Sequence, residues 1–290
     1  MTSIWLNQIL QGVLIGGLYA LYAVGLSLSV GVMRFVNIAH GDLIVLACFA
    51  QWALVVGLGL DPLVAAPILI VVCAVCAWLL QRLLLERVLK GGLMPLVLVT
   101  FGLSICIQNG LLGAFGADSR KVPAGNLDIA SVALADQITV GILPLLIFGS
   151  VVLLIMVLNY VLFRTRLGTR IRAVAENPAT ATLMGLPTTR LYAVSMAIIG
   201  ISIGITAAFL SIWTNFDSSS GQGRMLIAFE TVVLGGLGSL WGTLAGGIVL
   251  GIAQSVGAQF DTAWQALAGH IVFLLVFLLR PQGLFSGRSA

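Results

Sequence analysis

The sequence predicts an all-α fold, a polytopic transmembrane helical bundle of about eight spans that includes one broken or re-entrant pair. Of the 290 residues, 60% are hydrophobic and only 8% are charged, whereas about a quarter of an average soluble chain is charged. The apolar residues form runs close to the roughly 20 residues that cross a bilayer as a helix. A chain with so few charges cannot cover a water-exposed surface, which excludes a soluble enzyme.

Eight apolar runs define the predicted spans. They lie at about residues 9–33, 43–60, 63–81, 93–116, 138–163, 191–213, 225–257 and 262–279. The seventh run is longer than one span, and its glycine-dense centre at residues 235–242 favours a break between two half-helices. We expect these spans to form a single transmembrane domain over residues 1–290. We also expect the first span to stay in the mature protein, because no basic segment precedes it.

The distribution of cationic residues predicts the orientation of the chain. The connection at residues 164–190 holds five Arg and one Glu, and cytoplasmic loops collect Lys and Arg. With this connection inside, 11 of the 14 Lys and Arg fall on the cytoplasmic side. We therefore expect the N-terminus outside and the C-terminus in the cytoplasm.

Small residues in the spans predict close helix packing. Glycines four residues apart allow two helix backbones to approach closely in a membrane, and we expect them to act within the protomer. The four cysteines all lie in apolar runs, where Cys behaves as a small hydrophobic residue, so no disulfide framework or metal site is expected. The G-x-x-x-G pairs are Gly12/Gly16, Gly200/Gly204, Gly242/Gly246 and Gly247/Gly251.

The cationic connection contains the signals of a short, capped helix. Asn177 suits the N-cap, Pro178 suits the first helical position, and Gly185 can close the helix before Pro187. The predicted helix covers residues 178–184. An apolar face held out in the cytoplasm favours docking onto a partner, and the alternative is a charged loop that only fixes topology. The residues expected on that face are Ala179, Ala181, Leu183 and Met184.

A second polar stretch joins the first two runs at a predicted cytoplasmic membrane boundary. It places Asn37, His40, Gly41 and Asp42 within six residues. Polar groups so close to hydrocarbon need partners and often line a pathway. The alternative is an interfacial turn in which Asp42 caps the next helix.

Few polar side chains lie inside the predicted spans. We expect Gln108 and Gln254 to form hydrogen bonds between helices. Glu230 should face the bundle interior or the extracellular mouth, where it either lines a pathway or pairs with Arg224.

The sequence lacks two motifs of catalysis. It contains no Gly-Lys dipeptide, and therefore no P-loop that could cradle nucleotide phosphates. It also lacks the H-E-x-x-H zinc helix. We expect a chain that carries out no covalent chemistry and binds no cofactor of its own.

Four separated motifs resemble the branched-chain amino acid ABC importer permeases of the LivH type. They are residues 17–20 with 36–42, residues 168–185, residues 233–239 and residues 279–285. The resemblance runs in order from about residue 9 to 286. It implies a bacterial inner-membrane subunit paired with a second, related permease or with itself. It also implies two cytoplasmic ATPases that use ATP and Mg²⁺, and a periplasmic substrate-binding protein.

The resemblance also assigns roles to residues. It implies that residues 170–185 dock onto the ATPase, through Arg170, Arg172, Ala173, Glu176, Asn177, Pro178, Ala181, Leu183 and Gly185. It favours a pathway role for residues 36–42. The pathway candidates are Asn37, His40, Gly41, Asp42, Gln108, Glu230, Gly235, Gly236 and Gly238.

Three alternatives remain open from the sequence. Importers of urea, amides or other amino acids share this scaffold. A passive channel for a small neutral solute could be built from the same glycine-broken spans. A structural subunit of a larger membrane complex would carry no flux at all.

Overall fold

Helices account for most of the chain in the computed structural model, which describes residues 2–89, 91–125, 130–135 and 138–285. In chain order the helices are α1 (Thr2–Met33), α2 (His40–Trp52), α3 (Pro62–Leu80), α4 (Glu86–Leu89), α5 (Leu93–Phe115), α6 (Ile142–Arg164), α7 (Arg166–Glu176), α8 (Pro178–Leu183), α9 (Thr188–Trp213), α10 (Gly221–Gly235), α11 (Leu240–Phe260) and α12 (Trp264–Leu279). Two π-helical turns, Ala53–Gly57 and Gln81–Leu85, extend α2 and α3.

The predicted helical membrane bundle is confirmed. Within the described residues, seven helices are long and apolar enough to cross a membrane, and α12 is a shorter apolar helix. Each of the eight predicted runs coincides with a helix, and the seventh run contains two, α10 and α11. One feature was not predicted, an antiparallel hairpin of β1 (Ser131–Ala135) and β2 (Ile138–Gly141). The chain is therefore a multi-pass helical membrane protein with one small hairpin.

The chain divides into two compact units. Unit 1 contains the described residues of 1–24, 124–155 and 227–290, and unit 2 contains those of 25–123 and 156–226. The helices α1, α6 and α10 contribute residues to both units. The expectation of a single domain over residues 1–290 stays a prediction.

Glycines bring α1 and α11 together in unit 1. Gly12 lies against Gly251 and Gly16 lies against Gly247, so the two helices run antiparallel. A Cβ atom built on Gly16 would lie only 2.6 Å from the carbonyl oxygen of Gly247. Two of the predicted G-x-x-x-G pairs therefore face each other, and backbone packs directly on backbone.

The predicted break in the seventh run is a tight reversal in unit 1. The helix α10 ends at Gly235, and α11 begins at Leu240. Between them, Gly236 and Gly238 have positive φ angles of 101° and 81°. The Ser239 side chain caps α11 by accepting a hydrogen bond from the Gly242 amide at 3.1 Å. Since Gly242 and Gly246 lie against Gly235 and Thr231 respectively, the two helices run back along each other.

The helices α3 and α9 form the corresponding close pair in unit 2. A Cβ atom on Gly200 would meet the backbone of α3 at Ala74, and one on Gly204 would meet it at Ile70. The helix α2 also packs on α9, where the Cys48 thiol lies 3.7 Å from the carbonyl oxygen of Ala207. All four predicted glycine pairs thus serve packing inside the protomer.

An arginine in an aromatic cage holds the segment after α5 in place. The Arg120 guanidinium carbon lies 4.2 Å from the centre of the Trp52 ring and 5.3 Å from that of Phe115. Its Nη2 atom donates to the Phe115 carbonyl at 2.8 Å, and its backbone forms a two-way bridge with Phe216. Cation–π contacts and backbone hydrogen bonds together fasten this segment to the α9–α10 connection.

We predict that Gly16→Leu destabilises the protein and that Gly149→Leu does not. The leucine at position 16 must displace the backbone of α11, and overpacking of this kind costs about 1–3 kcal/mol. A Cβ atom on Gly149 in α6 meets no atom of the described residues within 4 Å, which makes Gly149 a matched control. Thermal unfolding of both variants in detergent measures the difference. Equal melting temperatures would contradict the role given to the α1–α11 contact.

Candidate functional site

The chain reverses direction immediately after α1. Arg34 is the only non-glycine residue with a positive φ angle in the described part of the chain, at 56°. Asn37 then forms a turn, since its Oδ1 atom accepts a hydrogen bond from the Ala39 amide at 3.1 Å and its carbonyl accepts one from the His40 amide. This turn directs the chain back beside α1 before α2 begins.

The polar stretch 37–42 packs against the middle of two long helices, and its predicted place at a cytoplasmic membrane boundary stays a prediction. A Cβ atom on Gly25 would meet both the His40 ring and the Ser202 hydroxyl, and Asp42 bonds to Ser104. Ser104 is the twelfth of 23 residues in α5 and Ser202 the fifteenth of 26 in α9. Residues 37–42 therefore contact the middle, and not the ends, of two helices that are long and apolar enough to cross a membrane.

The Asp42 carboxylate is the centre of this polar cluster. Its Oδ2 atom accepts a hydrogen bond from the Ser104 hydroxyl at 2.5 Å, and its Oδ1 atom accepts one from Gln108 Nε2 at 3.0 Å. Asp42 and Ser104 are buried, and Gln108 is partly buried. A buried carboxylate needs such donors because isolated charges are strongly disfavoured away from water. The expected hydrogen bond between helices at Gln108 is therefore present.

Two helices begin beside this carboxylate. Asp42 lies in the first turn of α2, and a Cβ atom on Gly221, the first residue of α10, would collide with the Asp42 carboxylate. Likewise, a Cβ atom on Gly41 would collide with the Gly221 carbonyl oxygen. The N-terminal end of a helix carries a partial positive charge that favours an anion. Asp42 thus lies at the starts of two helices inside unit 2.

The structure excludes one alternative that the sequence left open, namely that Asp42 is the N-cap of α2. Asp42 is not the N-cap of α2, because Ala39 occupies that position and makes no side-chain cap hydrogen bond. Pathway roles for Asn37, His40, Gly41 and Asp42 stay predictions. Sequence reasoning missed their tertiary partners, which are Ser104, Gly221, Gly25 and Ser202; no local pattern links such distant positions.

A second polar cluster lies in unit 1. The Glu230 Oε1 atom lies 2.5 Å from His270 Nδ1, and the Tyr19 hydroxyl donates to Gln254 Oε1 at 2.5 Å. The Gln254 side chain packs against Gly269, next to His270. Glu230 is buried, whereas the His270 side chain is 39% exposed. The expected bond between helices at Gln254 is present, while a pathway role for Glu230 and its pairing with Arg224 stay predictions.

The C-terminal motif packs on the break between α10 and α11. The Leu284 amide donates to the Leu234 carbonyl at 2.8 Å. Gly283, with a φ angle of 84°, lies against the backbone of Gly236. Two motifs that are far apart in the sequence therefore form one structural element, although the pathway role of Gly235, Gly236 and Gly238 is untested.

The connection between α6 and α9 is folded. The Thr165 side chain caps α7 by accepting a hydrogen bond from the Gly168 amide at 3.1 Å. Gly168 lies against the end of α6, and Ile171 and Val174 are buried. Arg172 is exposed, with its guanidinium carbon 4.8 Å from the Phe163 ring centre. The helix α7 therefore packs through one apolar face and leaves its polar face, including Arg170, Ala173 and Glu176, exposed.

The short helix α8 has both predicted caps. Asn177 Oδ1 accepts a hydrogen bond from the Thr180 amide at 3.0 Å. At the other end, Gly185 has a φ angle of 79°, and the Leu186 amide donates to the Ala181 carbonyl at 3.0 Å. The helix spans Pro178–Leu183, one residue shorter than predicted.

The tip of α8 is apolar and strongly exposed. Leu183 is 88% exposed and Met184 is 79% exposed. Ala181 was expected on the same face, but it is buried because it points from α8 toward the body of unit 2. Two large apolar side chains next to each other on a capped helix are typical of an interaction site.

A cavity of about 390 Å³ lies beside the start of α8. Its lining includes Pro178, Thr188 and Tyr192, together with Met33 at the end of α1 and Leu96 near the start of α5. The α8 segment thus lies at the same end of unit 2 as the reversal after α1.

Two observations bear on catalysis and metal binding. Residues 200–204 read G-x-S-x-G, the pattern of a hydrolase nucleophile elbow, which needs a sharp turn between a strand and a helix. Here they lie inside the continuous helix α9, and the Ser202 hydroxyl donates to the Ile199 carbonyl at 2.7 Å. In the described ranges, no group of three or more His, Cys, Asp or Glu residues could hold a metal ion.

The chain is a multi-pass helical membrane protein with buried polar clusters and an exposed, capped helix between two spans. The model of the family described as branched-chain amino acid transport system / permease component matches residues 8–279. The chain belongs to this family, and it is therefore a transport permease subunit and not a catalytic enzyme.

Named relatives cover nearly the whole chain. The high-affinity branched-chain amino acid transport system permease protein BraD of Pseudomonas aeruginosa is 27% identical over 97% of this chain and 95% of its own length. LivH of Escherichia coli K12, which carries the same description, is 26% identical over the same shares. Among solved structures, PsaBC from Streptococcus pneumoniae in complex with Fab has a TM-score of 0.49 and 15% identity, covering 95% of this chain and 91% of that one.

We predict that Asp42→Ala destabilises the protein more than Asp61→Ala. The first change leaves the buried Ser104 hydroxyl and the partly buried Gln108 amide without their acceptor, and an unsatisfied buried group costs about 1–3 kcal/mol. The second removes an exposed N-cap of α3, worth about 1 kcal/mol. Thermal unfolding in detergent gives both values.

A double-mutant cycle separates the Asp42 hydrogen bond from general disruption. Asp42→Ala combined with Ser104→Ala should show a coupling of about 0.5–3 kcal/mol, as contacting residues do. Strict additivity of the two changes would show that the 2.5 Å hydrogen bond between them contributes nothing.

Proposed function

We propose that this chain is a permease subunit of an ATP-driven importer for branched-chain amino acids, and that it moves solute delivered by a periplasmic binding protein. The family match over residues 8–279 and the similarity to the branched-chain amino acid permeases BraD and LivH support the solute class. The observation that carries the coupling to ATP is the exposed apolar tip of α8. A helix presented in this way fits a groove on a partner.

The proposed partners follow from this role. Two cytoplasmic ATP-binding subunits would receive α8 and would use ATP and Mg²⁺, and this chain would bind neither. A second permease, either a related chain or a second copy, would complete the membrane part. We place the chain in a bacterial inner membrane with an outside N-terminus and a cytoplasmic C-terminus, so that α8 faces the ATPases.

The proposed mechanism is alternating access driven through α7 and α8. The ATPases must contact this segment differently in their two states, since a partner that binds both states equally shifts nothing. The α7 helix packs against the end of α6 through Gly168, and α8 continues through Gly185 into α9. A displacement of Leu183 and Met184 would therefore be transmitted to two long apolar helices, α6 and α9.

We predict that Leu183→Asp abolishes coupling and that Leu183→Met preserves it. An aspartate places a charge in an apolar groove, whereas methionine keeps the apolar contact. The side chain is 88% exposed, so neither change should disturb the fold. The measurement is the amount of ATPase subunit that copurifies with the permease, together with uptake. Normal copurification and uptake by Leu183→Asp would contradict the docking role.

The function itself is tested by uptake into proteoliposomes that hold this chain, its paired permease and its ATPases. Leucine, isoleucine, valine and urea are compared with and without ATP and binding protein. We expect accumulation of the branched-chain amino acids only when both are present. Downhill flux without either would identify a passive channel, and ATP-dependent uptake of urea alone would reassign the solute.

A further inference from the structure

The cavity beside the start of α8 mixes polar and apolar side chains in its lining. Its volume of about 390 Å³ falls within the roughly 300–1,000 Å³ usual for small-molecule sites. The described residues that line it all belong to unit 2. Two of them flank the π-helical turn Gln81–Leu85, and such turns are frequent at functional sites.

The lining contains a buried oxygen without a partner. Gln81 is 1% exposed, and its Oε1 atom has no hydrogen-bond partner among the described residues. Buried polar atoms of native proteins almost always have one. Because Gln81 lies on a cavity, a molecule bound there can supply the missing donor.

A carboxylate lies next to this oxygen along the chain. The Glu86 amide donates to the Gln81 carbonyl across the π-helical turn, so the two residues are one turn apart. Glu86 is the only charged residue among the described residues that line the cavity. Its Oε2 atom lies 3.8 Å from Arg82 Nη1, which is longer than a hydrogen bond. A carbonyl oxygen and a carboxylate together suit a positively charged donor such as an ammonium group.

The start of α9 offers the opposite polarity. Thr188 and Thr189 are its first two residues, and both line the cavity. The N-cap position is occupied by Pro187, which makes no side-chain cap hydrogen bond. The first amides of a helix lack partners within it, and the N-terminus of a long helix attracts anions. A carboxylate suits this part of the lining.

The rest of the described lining is mostly apolar. It includes Met33, Leu89 and Leu96, and Leu96 is 2% exposed. Such side chains suit a small aliphatic group. Acceptors for an ammonium group, a helix start for a carboxylate and an apolar wall together match a zwitterionic amino acid with an aliphatic side chain.

We propose that this cavity binds a free aliphatic amino acid. The ammonium group binds Gln81 and Glu86, the carboxylate binds the start of α9, and the side chain packs on the apolar wall. The site is separate from the Asp42 cluster, since Asp42, Ser104 and Gln108 do not line it. The proposal rests on the proposed function for the choice of a branched side chain and for the source of the ligand, which is the imported product.

The position of the cavity gives binding there a consequence. Pro178, the first residue of α8, also lines it. An amino acid held in the cavity therefore contacts the helix whose tip carries Leu183 and Met184. Any change that it makes in the affinity of α8 for a partner is reciprocal, so that partner changes the affinity for the amino acid equally.

Photolabelling of the full chain in lipid nanodiscs locates the site. The probe is a diazirine analogue of leucine that keeps both charged groups. We expect mass spectrometry to find adducts on Met33, Leu89 or Leu96, and excess leucine to remove them. N-acetyl-leucine, which lacks the ammonium group, should not compete. Adducts confined to other residues, no adduct at all, or equal competition by N-acetyl-leucine would overturn the proposal.

Two substitutions test the ammonium partners by the binding of radiolabelled leucine. Gln81→Met and Glu86→Gln should each lower the affinity at least about tenfold, because each removes an acceptor for a charged donor. Gln51→Met is the matched control, since Gln51 Oε1 is also buried and unpartnered but Gln51 does not line this cavity. Unchanged affinity in either cavity variant, or an equal loss in the control, would overturn the proposal.

Thermal unfolding separates loss of the site from loss of the fold. Methionine at position 81 removes an unpartnered buried oxygen and keeps similar volume, so this variant should melt no lower than the unaltered chain. Binding is measured without ATP, ATPase subunits or periplasmic binding protein, whereas uptake requires all three. Failure of uptake with intact labelling counts against the proposed function alone, and intact uptake without labelling counts against this site alone.

Discussion

Two helices of this protein, α2 and α10, begin next to one buried carboxylate. The first amides of a helix have no partner within that helix, and hydrocarbon offers them none. Asp42 lies beside the first turns of both α2 and α10, where such amides are found, and it binds α5 through Ser104 and Gln108. Three features bring these helices close to the carboxylate. They are the reversal at Arg34, the Asn37 turn and the glycines at positions 41 and 221.

Glycine determines which helices can approach each other. In unit 1 it lets α11 contact both α1 and α10 through backbone atoms, and in unit 2 it brings α9 onto α3. In lipid, apolar side chains gain little by contacting one another, so close van der Waals packing has to supply the stability. The glycines at Gly236, Gly238 and Gly283 have a different role, because their positive φ angles allow the turn between α10 and α11 and the docking of the C-terminal motif.

Local signals in the sequence predicted local structure well. The eight runs, the Asn177 and Gly185 caps and the break near Gly235 depend only on neighbouring residues, and the structure contains each of them. The contacts of residues 37–42 were not predicted, for a physical reason. Hydropathy reports that the run at residues 43–60 is apolar and long enough to span, but not that α2 starts beside the middle of α5. The partners of Asp42 and Glu230 are equally beyond local patterns, because Ser104 and His270 lie 62 and 40 residues away.

The caps of α8 have a consequence for the strength of any interaction made there. Ordering a flexible segment on binding costs about 1–2 kcal/mol for each residue whose backbone becomes fixed. Asn177 and Gly185 hold this helix in shape before a partner arrives, so most of that entropic cost is already met by folding. The free energy of contact at Leu183 and Met184 is then available for affinity itself. A small contact area can therefore suffice, and the association can remain fast and reversible.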